Sequence, residues 1–123
     1  MIALCLALGL VQARLPLTEF TLAWTHSVEK VRWEEDYRVT AAGLELTAAR
    51  VQGSGAGMEP PAGAELRTGW WHYRPALPPL PALRLTLSSY SAGYQLCAAG
   101  GCRALADLLG GEGVVELTPC ARE

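Results

Sequence analysis

Hydrophobic and polar positions alternate with a period of two along much of the chain. Phe20, Leu22, Trp24, His26 and Val28 alternate with Thr21, Ala23, Thr25 and Ser27. Val31, Trp33, Glu35, Tyr37 and Val39 alternate with Arg32, Glu34, Asp36 and Arg38. Large residues fall on one side and small or polar ones on the other, the pattern of antiparallel strands buried on one face. Glu29-Lys30 lies between the two runs and marks a turn. It lacks the Gly or Asn of a tight primed turn, so the pattern leaves the register open.

The same reading predicts further strands over residues 44–51, 66–73, 83–87, 94–98, 102–105 and 114–118. Residues 52–65 hold Gly53, Gly55, Gly57, Pro60, Pro61 and Gly63 and read as a loop. Pro75, Pro78, Pro79 and Pro81 keep residues 74–81 extended or turning. Residues 106–109 allow one helical turn before Gly110-Gly111. The total is about eight short strands, which predicts an all-β fold, a small antiparallel sandwich or barrel. With 8 prolines and 13 glycines spread along the chain, a mainly helical fold is excluded.

The first thirteen residues, MIALCLALGLVQA, carry no charge. As a helix the run spans about 20 Å, short of the roughly 30 Å hydrocarbon layer. It has the apolar centre of a secretory signal, and Val11-Gln12-Ala13 has the small residues of a cleavage point. No basic residue precedes Arg14. The division expected from this is a signal-like or anchor segment over 1–13 and one β domain over 14–123. A buried N-terminal helix is the competing reading.

Composition narrows the classes. The 123 residues are 50% hydrophobic and 18% charged, with a net charge of −2. That is too apolar for a disordered chain and too poor in positive charge for a nucleic-acid binder that neutralises phosphates. One domain with its own core fits the length. Two histidines and no spaced His/Cys/Asp set point away from a metal site, and no cofactor motif is present. Of the 4 cysteines, Cys97 and Cys102 flank Gly100-Gly101 and fit a disulfide across a hairpin, in an oxidising compartment. Cys5 falls in the apolar leader and Cys120 is left as an odd thiol; three reduced cysteines are the alternative.

The candidate chemistry lies on the first hairpin. Placing Val28 opposite Val31 makes His26 face Trp33 and Trp24 face Glu35. His26 and Glu35 then become diagonal neighbours on one side of the ribbon. An unpaired charge buried there costs several kcal/mol. The carboxylate must therefore be paired or face a ligand. Two uses remain open. His26, Ser27 and Glu35 form a polar patch in a pocket walled by Trp24, Trp33 and Trp70, or the pair is a structural bond that pins register. Adjacent His26 and Ser27 point to opposite faces of a strand, which excludes them as base and nucleophile of one another. Glu34 and Asp36 point outward. In Gly69-Trp70-Trp71-His72-Tyr73, alternation puts Trp70 and His72 on one face and Trp71 and Tyr73 on the other. The Gly53-Ser54-Gly55-Ala56-Gly57 run matches neither phosphate-binding pattern.

These residues carry a resemblance. FTLAWTHSVEKVRWEEDYRV over 20–39, Gly-Ala-Gly at 55–57, Gly-Trp at 69–70 and Leu-x-Leu-x-Leu at 83–87 resemble the bacterial domain-of-unknown-function family 1850. The resemblance implies a small exported or membrane-anchored protein, periplasmic or extracytoplasmic, with no established catalysis. It also implies a genomic setting beside TAXI-type tripartite ATP-independent periplasmic (TRAP) transporters. The residues it singles out are His26, Ser27, Glu35, Gly55 and Gly57. Two functions follow as expectations. One is a non-enzymatic accessory that contacts the receptor or permease of a TRAP importer. The other is a stand-alone module that binds an organic acid or amino acid in an aromatic pocket around His26. Neither involves nucleic acid, and membrane contact is expected only through the N-terminal segment.

Overall fold

The computed structural model describes residues 1–25, 30–53, 63–88 and 93–122. Those residues form two antiparallel sheets packed face to face, with one short helix at their side. The larger sheet contains β3 (Glu19–Thr25), β4 (Arg32–Thr40), β5 (Gly43–Gln52), β6 (Glu65–Arg67), β7 (Trp70–Tyr73), β9 (Tyr94–Ala98) and β10 (Gly101–Ala104). Its order is β10-β9-β3-β4-β5-β7-β6. The smaller sheet has the order β2-β1-β11-β8, built from β1 (Ile2–Leu8), β2 (Val11–Leu15), β8 (Leu83–Leu87) and β11 (Gly113–Ala121). Helix α1 is Leu105–Leu109, the single turn expected near that point. The all-β expectation holds, with eleven strands among the described residues in place of roughly eight read from alternation.

The additional strands have local causes. The run expected as one strand over 66–73 is broken by Thr68 and Gly69, both at positive φ (53° and 84°). Two such residues in succession make a tight hairpin turn, which splits the run into β6 and β7. β1 and β2 come from the apolar N-terminus. The division expected after Ala13 falls inside β2, and residues 2–8 form a strand rather than a helix. β1 lies between β2 and β11, with Leu4 opposite Pro119 and Leu6 opposite Leu117. Among the described residues no helix is long and apolar enough to cross a membrane.

The core fills the space between the sheets. Leu4, Leu6, Leu85, Leu87, Val115 and Leu117 enter from the smaller sheet. Phe20, Leu22, Tyr37, Val39, Leu44 and Leu96 meet them from the larger one. Leu105 and Leu109 of α1 close one side. The proline-rich strap after β7 is clasped to the start of β5, where Leu44 and Leu80 exchange backbone hydrogen bonds of 2.7 and 2.8 Å. Gly43 makes this approach possible: a Cβ there would collide with the Leu80 carbonyl oxygen, and its φ of 141° excludes other residues as well.

Two disulfides staple the ends of the architecture. Cys97 and Cys102 are direct partners on β9 and β10 and are bonded, as their flanking of the Gly-Gly turn predicts. Cys120 is not an odd thiol. It is bonded to Cys5 across the β1–β11 pair, 115 residues away. Two native disulfides fit an oxidising environment.

Candidate functional site

The face of the larger sheet that meets the core continues past it. Successive rows across the strands can be followed from the register. One row runs Tyr94, Trp24, Trp33, Val51 and Trp71 through β9, β3, β4, β5 and β7. The next row runs Leu96, Leu22, Glu35, Ala49 and Tyr73 through the same strands. Leu22, Leu96 and Ala49 are buried, whereas Trp24, Trp33, Glu35, Trp71, Tyr73 and Tyr94 each keep part of their surface in solvent. The result is an aromatic surface beside the core with one carboxylate set into it.

Pairing of β3 with β4 differs from the expected register. Trp24 faces Trp33, and Leu22 faces Glu35. The offset is two residues along one strand. A shift of two keeps every side chain on its own face, so Trp24, Trp33 and Glu35 still share one side. His26 and Ser27, with Val28 and Glu29, lie outside the described residues, as do Gly55 and Gly57. The expected contact of His26 with Glu35 therefore has no structural account here. Trp70 is not a wall of this surface. It pairs with Gln52 and Arg67 on the opposite face, and the neighbouring Trp71 takes its place. Gly53 helps to seat Trp71: a Cβ at that glycine would stand 2.9 Å from the indole ring.

The aromatic rings are closely arranged. Trp24 and Trp33 lie nearly parallel, their centroids 6.1 Å apart, and Trp24 meets Tyr94 at 5.5 Å with a tilt of 52°. Phe20 stacks on Tyr37 at 5.3 Å below them. The Tyr37 hydroxyl donates a 2.8 Å hydrogen bond to Glu35 Oε1. The indole Nε1 of Trp33 is buried and has no hydrogen-bond partner among the described residues, an unusual state for a group that normally finds an acceptor.

Burial pushes the Glu35 carboxyl above its ordinary range, and the Tyr37 hydrogen bond opposes this only in part. The phenols of Tyr73 and Tyr94 are likewise raised, first by burial and then by the Glu35 charge. Tyr37 is pushed far up by burial, by that charge and by the bond to it, and stays a proton donor to the carboxylate. Of the described strand residues on this face the one basic side chain is Arg103, on edge strand β10. It is three strands away from Glu35, about 14 Å at the usual strand spacing.

The opposite face has the reverse character. Arg50 donates to Glu34 Oε1 at 2.6 Å and to both Asp36 oxygens at 3.0 and 3.2 Å. Arg32 reaches Glu34 Oε2 at 2.8 Å, and Thr21 donates to Asp36 at 2.7 Å. Partial burial would raise both carboxyl pKa values, but the arginine bonds outweigh it and hold both low. Glu34 and Asp36 are thus paired and outward-facing, while Glu35 between them is turned inward without an arginine. Among the described residues no group of three His, Cys, Asp or Glu is placed to hold a metal.

The fold and this surface define a class: an antiparallel two-sheet sandwich whose larger sheet carries a half-buried carboxylate among tryptophan and tyrosine rings. The chain belongs to the family described as Domain of unknown function (DUF1850), whose model matches residues 20–105. That stretch contains the described strands of the larger sheet except the first residue of β3, with β8, and leaves β1, β2 and β11 outside. No curated protein and no solved structure matches the chain.

Proposed function

We propose that this protein is a non-enzymatic binding module acting outside the cytoplasm, and that the aromatic surface around Glu35 is where it meets a small ligand. The supporting observation is the Glu35 carboxylate itself. It lies 2.8 Å from the Tyr37 hydroxyl, with Tyr73 and Tyr94 near enough to feel its charge. A half-buried carboxylate of raised pKa in aromatic surroundings destabilises the fold that keeps it, which is the signature of a functional position. The phenols around it are held un-ionised, so they orient a ligand by hydrogen bonding rather than act as bases near neutral pH. The two disulfides fit export, in line with a periplasmic setting.

Tryptophan fluorescence tests the reading directly, because Trp24 and Trp33 sit in the same row of rings. Titration of the purified protein with a panel of organic acids, amino acids, amines and neutral solutes is expected to give a saturable change with at least one class of solute and no partner protein present. A flat response across a broad panel of acids, amines and neutral solutes would end it.

A second reading rests on the genomic setting that the resemblance to the family implies. It makes the protein an accessory of a TAXI-type TRAP importer that contacts the solute receptor or the permease. Crosslinking in cells followed by recovery of those transporter components is the expected result. Their absence from the crosslinked material counts against this role and leaves the binding module standing.

A further inference from the structure

Taking the ligand-binding reading of the Glu35 surface as its premise, we infer that the ligand presents an organic cation, an alkylammonium group, to Glu35 and the surrounding rings. Three observations converge on that chemistry. The surface offers a carboxylate, and its only basic side chain among the described strand residues is Arg103, three strands off. Among the described strand residues beside Glu35 an organic acid would find no counter-charge, and the Glu35 carboxylate would repel it. The rings beside the carboxylate are tryptophan and tyrosine, whose negative faces attract cations, tryptophan most strongly. Trp24, Trp33 and Tyr94 are joined in one array with centroid separations of 5.5 and 6.1 Å.

Hydration explains the preference for an alkylated cation. A bare metal ion requires several hard oxygen ligands, and this face supplies one carboxylate. An alkylammonium group is weakly hydrated and gives up little on leaving water, so ring faces with one carboxylate suffice to hold it.

The test uses a matched pair of probes. Choline and its uncharged isostere 3,3-dimethylbutan-1-ol have nearly the same shape and differ in charge; succinate supplies the anionic arm. Calorimetric titration of the full chain is expected to show choline binding about tenfold or more tighter than the alcohol, and no succinate binding. Glu35→Gln keeps the shape and the acceptor for Tyr37 and is expected to weaken choline by about tenfold. The sign of the Glu35 shift sets the expected stability of that variant. A carboxyl with a raised native pKa contributes stability fully only below its unfolded value and loses it as pH rises through the native one. Glutamine has no such loss, so Glu35→Gln should melt no lower than the parent at pH 7, and the difference in melting temperature between variant and parent should move in the variant's favour as pH rises from 4 to 7. Binding of the alcohol or succinate as tight as that of choline, or choline binding untouched by Glu35→Gln, overturns the cation inference and leaves a binding module. Absence of binding by all three probes overturns the cation inference; a flat fluorescence response across the broad panel overturns the binding module as well.

Discussion

Replacing Cys5 and Cys120 together by alanine is expected to cost about 4–5 kcal/mol of unfolding free energy, while replacing Cys97 and Cys102 costs about 2. The difference follows from loop length. One bond joins residues 115 apart and the other joins residues 5 apart. A crosslink stabilises mainly by removing conformations from the unfolded chain, and a longer closed loop loses more of them. The long-range bond also ties β1 to β11 at the edge of a central strand pair, where Arg122 N donates to the Met1 carbonyl at 2.9 Å. Urea unfolding of the two double variants, each against the parent, measures both numbers. A larger loss from the Cys97–Cys102 pair would contradict the account.

A chain lacking residues 1–13 is expected to show no cooperative unfolding transition. The deletion removes β1 and leaves only the end of β2, so β11 loses the partner it has along residues 116–121. Leu4 and Leu6 are essentially inaccessible to solvent, and burial of each contributes roughly 1.5–3 kcal/mol. Loss of the Cys5 half of the long-range disulfide adds the amount above. Together these approach the roughly 5–15 kcal/mol by which whole domains are stable. Near-ultraviolet circular dichroism and thermal melting of the shortened chain test this. A shortened chain that melts like the parent would restore the expectation of a separable N-terminal segment.

That segment carries two patterns at once. Ile2, Leu4, Leu6 and Leu8 alternate with Ala3, Cys5 and Ala7, a period of two that marks a strand. The small residues are themselves apolar, so the run resembles a leader centre and the alternation is easily missed. The partner strand lies at the other end of the chain, and no local signal names it. For the same reason Cys120 looks unpaired until β1 and β11 are brought together.

The aromatic surface was more legible. Alternation placed Trp24, Trp33 and Glu35 on one side of the first ribbon, and a two-residue offset in pairing preserved that side. The offset itself was illegible, because Glu29-Lys30 lacks the turn chemistry that fixes a register. Trp70, expected as a wall of the pocket, lies on the other face of the sheet. Alternation separates Trp70 from Trp71 but does not say which one faces inward, and the pairing of Val51 with Trp71 decides it.

By itself, the sequence determined the period of two, the strand-rich class, the cross-hairpin disulfide and the sharing of one face by Glu35 and two tryptophans. These are local properties, set by side chains a few residues apart. Only the tertiary structure decided that the N-terminal run is a core strand and that Cys5 meets Cys120. It alone brought Tyr73, Tyr94 and Trp71 onto the surface that bears Glu35. Those outcomes depend on which strands pair over long separations, and the free energy that selects the pairing comes from burying all the inner faces at once.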